Sequence, residues 1–373
     1  MNKDKIKQKL KSILHIKRLW FVLLLPLSLI LTEITKNNPS FSEWYAENIY
    51  KYISIVFNNI SGIVPLSIAE VIVILSVLFA VFYIIYIIVM LIKKKGQRLK
   101  TIGNFVLNII CIVCTAVFLF TTNCGINYYR MTFSELSGIE VQKSSTDTLY
   151  NLCVILAQNA TKEREQVQEN SGIMCLNQAE ISTAETAKNA MDNLSKDYPY
   201  ITSGYSIPKG VMLSRCMSYA NITGVFFPFT FEANVNTDIP DYSIPSTMCH
   251  ELTHLRGFMR EDEANFVSFL ACIKSDSADF RYSGYMMGYI YASNALYSEN
   301  KDKFNSLSEY LSDGVLRDLQ NNSEYWRQFE TPVAQVASSI NDSYLKSNSQ
   351  QEGIKSYGRM VDLLISYYNL HNN

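Results

Sequence analysis

The chain has 373 residues, 48% of them hydrophobic and only 18% charged, whereas an average soluble chain is roughly one quarter charged. Thirty-three Lys and Arg against 34 Asp and Glu leave a formal net charge of −1, which gives no electrostatic support for nucleic-acid binding, since that needs a basic face. An aromatic content of 12% excludes a disordered chain, and eight Cys are too few for a disulfide scaffold.

Three apolar segments fill the first third. Residues 19–32 (LWFVLLLPLSLILT) fall short of the ~20 that a spanning helix wants, and Lys17 and Arg18 before them extend the reach by snorkelling. A cleaved signal peptide is the competing reading, but no A-x-A-like site follows. Residues 65–92 are a nearly unbroken run of Ile, Val, Leu, Phe and Tyr, and residues 105–121 form a third run of just sufficient length. The sequence thus predicts three transmembrane helices within a membrane region, 1–121.

Basic residues set the orientation. Lys3, Lys5, Lys7, Lys9, Lys11, Lys17 and Arg18 precede the first segment, and Lys93, Lys94, Lys95, Arg98 and Lys100 follow the second. The 33–64 loop carries only Lys36 and Lys51. Positive-inside logic puts the N-terminus and the 93–104 loop in the cytoplasm and everything after about Thr122 outside. Trp44, Tyr45, Ile49, Tyr50, Ile53, Val56 and Phe57 recur at nearly helical spacing in the 33–64 loop. This predicts a helix lying in the outer interface of the bilayer or packed on the outer domain.

Residues 122–373 have ordinary soluble composition. Apolar spacing predicts helices over 144–168 and 179–196, the second capped by Ser182 or Thr183. The stretch 204–230 is rich in Tyr, Ile, Val and Phe with Gly and Pro punctuation, which suggests short strands. Helical pattern returns after Pro240. The expected class is α+β, a mostly helical domain with a small β-sheet behind three membrane helices. Cys111 and Cys114 form a C-x-x-C inside an apolar helix, where packing is the favoured reading. The other six Cys allow up to three disulfides and require none.

The strongest chemical signal is His250-Glu251-Leu252-Thr253-His254, an H-E-x-x-H. On a helix, positions i and i+4 share a face, so both imidazoles reach one metal ion, and Glu251 beside that face can take a proton from a metal-bound water. Half of the chain's four His sit in this pentapeptide. Pro245 after Ser243 or Ile244 suits a helix start, and Gly257 suits its stop. Cys249 points about 100° away from His250 and is not expected to ligate.

A zinc site needs a third protein ligand. His15 is expected in the cytoplasm, His371 is almost at the end of the chain, and Arg260 stands where a third histidine of the metzincin spacing would be. A carboxylate is therefore expected, from the turn that opens a second helix running to about Lys274. Three acids compete. Glu261 is favoured because Asn265, one turn on, and Ser268 continue a polar line, with Asn265 placed to hold a ligating imidazole. Glu263 has Val267 one turn on, so it lies above an apolar stripe. Acids at a helix start also simply complement its positive end.

Glu-x-x-Ala-Asn after H-E-x-x-H resembles the gluzincin metallopeptidases, whose first Glu completes the zinc site. More closely, the chain resembles the bacterial membrane proteins grouped as domain of unknown function 3810. The likeness lies in TGVFFPFTFEANVN (223–236), HELTHLRGFMREDEANF (250–266), RYSGYMMGYIYA (281–292) and SYGRMVDLLISYY (356–368), with NYYR (127–130) and the three-helix N-terminus beside them. The resemblance implies a membrane-anchored zincin-like domain over 122–373, with His250, His254 and Glu261 on Zn2+ and Glu251 as general base. It implies no substrate.

GVFFPFTFEANVN is β-prone, and Pro228 is what an edge strand tolerates. The stretch is expected either beside the cleft, offering backbone groups to a peptide, or as an ordinary core strand. Arg281, Tyr282, Tyr285, Tyr357 and Arg359 are candidate donors to a developing oxyanion. The expected activity is a membrane-anchored zinc peptidase whose partners are a peptide or protein substrate and the lipid bilayer, not nucleic acid. The alternative is a sensor or assembly protein that binds a peptide or wall component with little turnover.

Overall fold

The structure, a computed structural model, describes residues 17–141, 145–348 and 357–371, with the side chains of Tyr357, Gly358 and His371 outside that description. His15 and the basic residues before Lys17 lie outside the described residues.

Three helices are long and apolar enough to cross a membrane: Lys17–Lys36, Ile68–Lys93 and Lys95–Asn123. The first is longer than the 14-residue apolar run suggested. It begins as a 3-10 helix over Lys17–Leu23 and becomes α-helical over Leu24–Lys36. Pro26 explains the change, since a proline ring is tolerated only in the first α-turn. Arg18 reaches across to Asn108 Oδ1 (2.7 Å) and Asn104 Oδ1 (2.8 Å) of the third helix. The second helix starts where the Ser67 side chain accepts the Glu70 N–H, a standard N-cap.

Between the first two spans, Pro39–Tyr45, a π-turn at Ala46–Tyr50 and Lys51–Gly62 form one bent rod. One face packs on the folded domain. Tyr50 donates to the Leu255 carbonyl (3.0 Å), Asn58 donates to the Phe231 carbonyl (2.7 Å), and the Ser54 and Tyr205 hydroxyls share a 2.8 Å bond. The other face leaves Trp44, Tyr52, Val56, Phe57 and Ile60 half exposed or more. The rod is amphipathic, and the domain-packed alternative describes its polar face.

The folded domain is mostly helical. Thr146–Arg164 and Glu180–Asp197 are the two early helices, close to their expected bounds. No side chain caps the second: its N-cap is Ala179, and Thr183 bonds back to the Ala179 carbonyl instead. Thr183 sits a full turn inside the helix, where a hydroxyl satisfies itself on the i−4 carbonyl. Ala278–Glu299 packs along Thr146–Arg164, and Ile244–Leu255 packs on Glu261–Ile273. Met248, Leu252, Phe266, Phe269 and Leu270, all fully buried, form the middle of the core.

Two small sheets complete the domain. Gln168–Asn170 (β1) and Ile173–Cys175 (β2) form a hairpin. Lys209–Gly210 (β3), Gly224–Phe227 (β4) and Glu232–Val235 (β5) form a sheet in the order β3-β5-β4, with β3 parallel and β4 antiparallel to β5. The β-prone stretch is therefore a hairpin, with its first half on the edge and its second in the centre. Pro228 lies in the turn after β4, not in the strand. All eight cysteines are free.

The sheet is bolted to the second span. Glu232 on β5 accepts the Ile68 and Ala69 N–H groups (3.1 and 2.7 Å). Lys209 on β3 pairs with Glu232 and donates to the Ser61 and Leu66 carbonyls. Glu70 accepts the Met212 and Leu213 N–H groups in return. The open helix N-terminus is thus met by a carboxylate, which its dipole favours.

Candidate metal centre

The H-E-x-x-H sequence occupies the second half of Ile244–Leu255, which starts at Ser243 with Pro245 in its first turn. Gly257 stops it. At φ +88° it takes the left-handed conformation glycine accepts freely, and its N–H returns to the His254 carbonyl (2.9 Å). That reversal brings the Phe258 carbonyl to 2.8 Å from His254 Nδ1. It also starts the next helix so that Glu261 faces the two imidazoles.

The His250 and His254 rings stand 4.5 Å apart and nearly perpendicular. Each has its Nδ1 engaged, His250 by Asn265 Oδ1 (2.8 Å) and His254 by the Phe258 carbonyl, which leaves Nε2 of both pointing at Glu261. His250 Nε2 lies 3.3 Å from Glu261 Oε2 and His254 Nε2 lies 3.6 Å from Oε1. Donors about 2.0–2.1 Å from a tetrahedral ion stand about 3.3 Å from one another, so this donor set fits one small divalent cation. Asn265 is where its spacing placed it, holding the imidazole of His250.

Glu251 lies beside this set, 4% exposed, with Oε2 unpaired within the protein. Strand β4 runs directly over it. A Cβ on Gly224 would come within 2.4 Å of Glu251 Oε1, so only glycine lets the strand lie this close. Burial pushes the Glu251 carboxyl up to about 8, with the Glu261 charge adding and His250 and the Phe226 backbone amide working against it. Such a carboxylate binds a proton readily near neutral pH. Burial opposes ionisation of Glu261 as well, but the facing imidazoles of His254 and His250 outweigh it and hold that carboxyl near 2. Burial, helped by His250, lowers His254 to about 4, which favours its neutral form, whereas at His250 burial is outweighed by the hydrogen bond and charge of Glu261, which raise it.

The β4 edge faces the same cleft. Asn236 donates to the Thr223 carbonyl (2.8 Å), and the register continues through Gly224↔Val235 and Phe226↔Ala233. The alternation of an antiparallel ladder then turns the N–H and C=O of Gly224 and Phe226 away from β5, toward the open edge. The cleft has a volume of about 800 Å³ and is walled on its far side by Ala278–Glu299, Asp313–Arg327 and Pro332–Ser347.

The expected oxyanion donors lie elsewhere. Arg281 pairs with Glu163 and donates to the Ser275 and Asp276 carbonyls, and the buried Tyr282 hydroxyl donates to Asp318 (2.6 Å). Tyr285 packs edge-on against Phe269. Their helix shows the cleft Ser283, Met287, Ile290 and Tyr291 instead, a different face. Arg359 lines a separate depression with Arg260 and Asp262, and the side chain of Tyr357 lies outside the described residues. Glu263 is neither a donor to the set nor in solvent. It is 4% exposed, pairs with Arg260 (2.9 Å) and accepts the Phe133 N–H (3.0 Å).

Four tyrosines absent from the expected list, Tyr128, Tyr242, Tyr291 and Tyr344, do line the cleft. Tyr128 and Tyr344 share a hydroxyl–hydroxyl bond of 2.9 Å, and burial, then neighbours that include Glu261, raise both phenols. Tyr128 belongs to the NYYR segment, whose Arg130 makes a bidentate pair with Glu43 (2.9 and 2.6 Å). No local pattern marked Tyr344.

A family model described as a protein of unknown function (DUF3810) matches residues 45–365. No curated protein and no solved structure matches the chain.

Proposed function

The chain belongs to the DUF3810 family, and we propose that it is a membrane-anchored, zinc-dependent peptidase of the gluzincin type with a zincin-like domain over 122–373. The observation that carries this reading is the convergence of His250 Nε2, His254 Nε2 and the Glu261 carboxylate, all within 4.8 Å of one another, beside the unpaired Glu251 Oε2. The basic-residue asymmetry supports a position of the domain outside the cytoplasmic membrane.

Zinc, when bound, supplies a Lewis acid that lowers the pKa of a water and polarises a carbonyl. His250, His254 and Glu261 would hold it, and Asn265 and the Phe258 carbonyl keep both imidazoles in the tautomer that frees Nε2. Glu251 takes the proton of the attacking water and later passes it to the leaving amine nitrogen. The peptide lies as an added strand on β4, aligned by the N–H and C=O of Gly224 and the C=O of Phe226. The buried floor around Glu251 excludes bulk water, so its carboxylate faces the reacting atoms alone.

The test is metal analysis of the purified full-length protein, with mass-spectrometric detection of cleavage in a mixed peptide library. One zinc per chain is expected, lost in His250→Ala and His254→Ala. Glu251→Gln should keep the zinc and abolish cleavage. Stoichiometric zinc in both His variants would sink the assignment. A zinc-loaded wild type that binds peptides and cuts none would leave the sensor or assembly alternative.

A further inference from the structure

We propose that the substrate of this cleft is an uncharged, apolar segment of another membrane-anchored protein, cut within roughly ten residues of the bilayer surface. The inference rests on the peptidase reading above and deepens it.

The first observation is the chemistry of the wall. Among the described residues, no Asp, Glu, Lys or Arg lines the cleft apart from Glu251 and Glu261. Ile222, Val225, Met287, Ile290, Trp326 and Ile340 supply its apolar patches, set among uncharged Ser, Thr and Asn side chains. A charged substrate side chain entering here would lose its hydration and meet no counter-charge. An apolar one gains by burial.

The second is the position of the cleft. Asn123 is the last residue of the third spanning helix, and Cys124, the next residue, already lines the cleft. Asn123 donates to the Pro228 carbonyl (3.0 Å), at the end of the edge strand. Tyr344 on the far wall packs edge-on against Phe120, a residue of that same spanning helix. The cleft therefore opens where the span ends. An extended chain advances about 3.3 Å per residue, so a segment just beyond a substrate's own span reaches it and a distant one must fold back.

The third is the entry path. On Pro332–Ser347, Val333, Val336 and Ile340 form an exposed stripe, 61%, 60% and 65% accessible. Ile340 also lines the cleft. One apolar stripe thus runs along the outside of this helix to Ile340, which enters the site.

The test uses the full-length, zinc-loaded protein in phosphatidylcholine vesicles with a synthetic single-span peptide. The peptide carries a tail of Ala, Ser, Leu and Phe and is compared with the same tail free in solution and with anchored tails bearing Lys or Asp on each side of the cleaved bond. The anchored neutral tail should be cut within ten residues of its span. The free tail should show at least a 10-fold lower kcat/KM, and the charged tails at least a 100-fold lower one. Asn322→Asp, which adds one negative charge to the wall, should restore at least 10-fold for the Lys tail. A photoreactive benzoyl group in the neutral tail should cross-link to the cleft of Glu251→Gln. Equal cleavage of free or charged tails overturns this inference and leaves the peptidase reading standing. Cross-linking of the anchored tail without any cleavage by the wild type overturns the peptidase reading and upholds the binding preference. Neither cross-linking nor cleavage overturns both.

Discussion

Glu261→Gln and Glu263→Gln each remove one negative charge from the first turn of the same helix, two positions apart, and should fail in different ways. Glu261 faces His250 Nε2 and His254 Nε2, so in the proposed zinc site its amide would replace an anionic donor with a neutral one. Loss of a residue that only supports a ligand costs about 10- to 100-fold in metal affinity. Loss of the ligand itself should exceed ~100-fold, about 2.7 kcal/mol. Glu263 touches no part of the donor set and joins Arg260 to the Phe133 backbone. Breaking a fully buried pair costs about 3–5 kcal/mol. Arg260 keeps its bond to the Arg130 carbonyl, and its side chain is 19% exposed, so about 2 kcal/mol is expected. For a folded unit of this size that is roughly 4–8 °C in Tm. The assay is thermal unfolding with and without zinc, alongside a zinc-competition titration. Zinc at 100 times its Kd stabilises by about 2.7 kcal/mol. The wild type and Glu263→Gln should therefore both gain several degrees on adding zinc, from a lower starting point in the variant. In Glu261→Gln the gain should vanish. A larger loss of zinc affinity at Glu263 than at Glu261 would refute the reasoning.

Three other outcomes follow from the geometry. Gly224→Ala should leave zinc affinity within about threefold but cut hydrolysis about 100-fold, the scale of a 1 Å misplacement of a reacting group, because the new Cβ displaces Glu251; unchanged turnover in this variant would mean Glu251 does not act from where it lies. Asn265→Ala should weaken zinc about 10- to 100-fold by freeing the His250 ring, read by the same competition titration. Glu232→Gln should lower Tm by roughly 10 °C, since it leaves Lys209 buried without its anion at a cost of about 3–5 kcal/mol; a shift below 2 °C would show that the joint with the second span carries little stability.

What the sequence determined by itself is what repeats locally. The apolar runs marked the three helices that are long and apolar enough to cross a membrane, and the i, i+4 spacing of His250 and His254 placed both rings on one helical face. Gly257 and Pro245 bounded that helix, and Asn265, one turn past Glu261, stood out as the residue to hold His250, only 15 positions away. Each of these rests on the geometry of one helix or of two joined by a short turn.

Only the tertiary structure decided what stands opposite those elements. The N–H that occupies Glu263 belongs to Phe133, 130 residues earlier, so a position read as lying above an apolar stripe is a buried anchor. The carboxylate that receives the second span comes from Glu232, 163 residues beyond Ala69. Arg281 and Tyr282 carry donor groups as suitable as any, yet their helix turns them toward Glu163 and Asp318, and Tyr128 and Tyr344 stand at the cleft instead. A side chain's type fixes which bonds it can make. Which partner it meets depends on how distant helices and strands pack to fill the core, and no window along the chain records that.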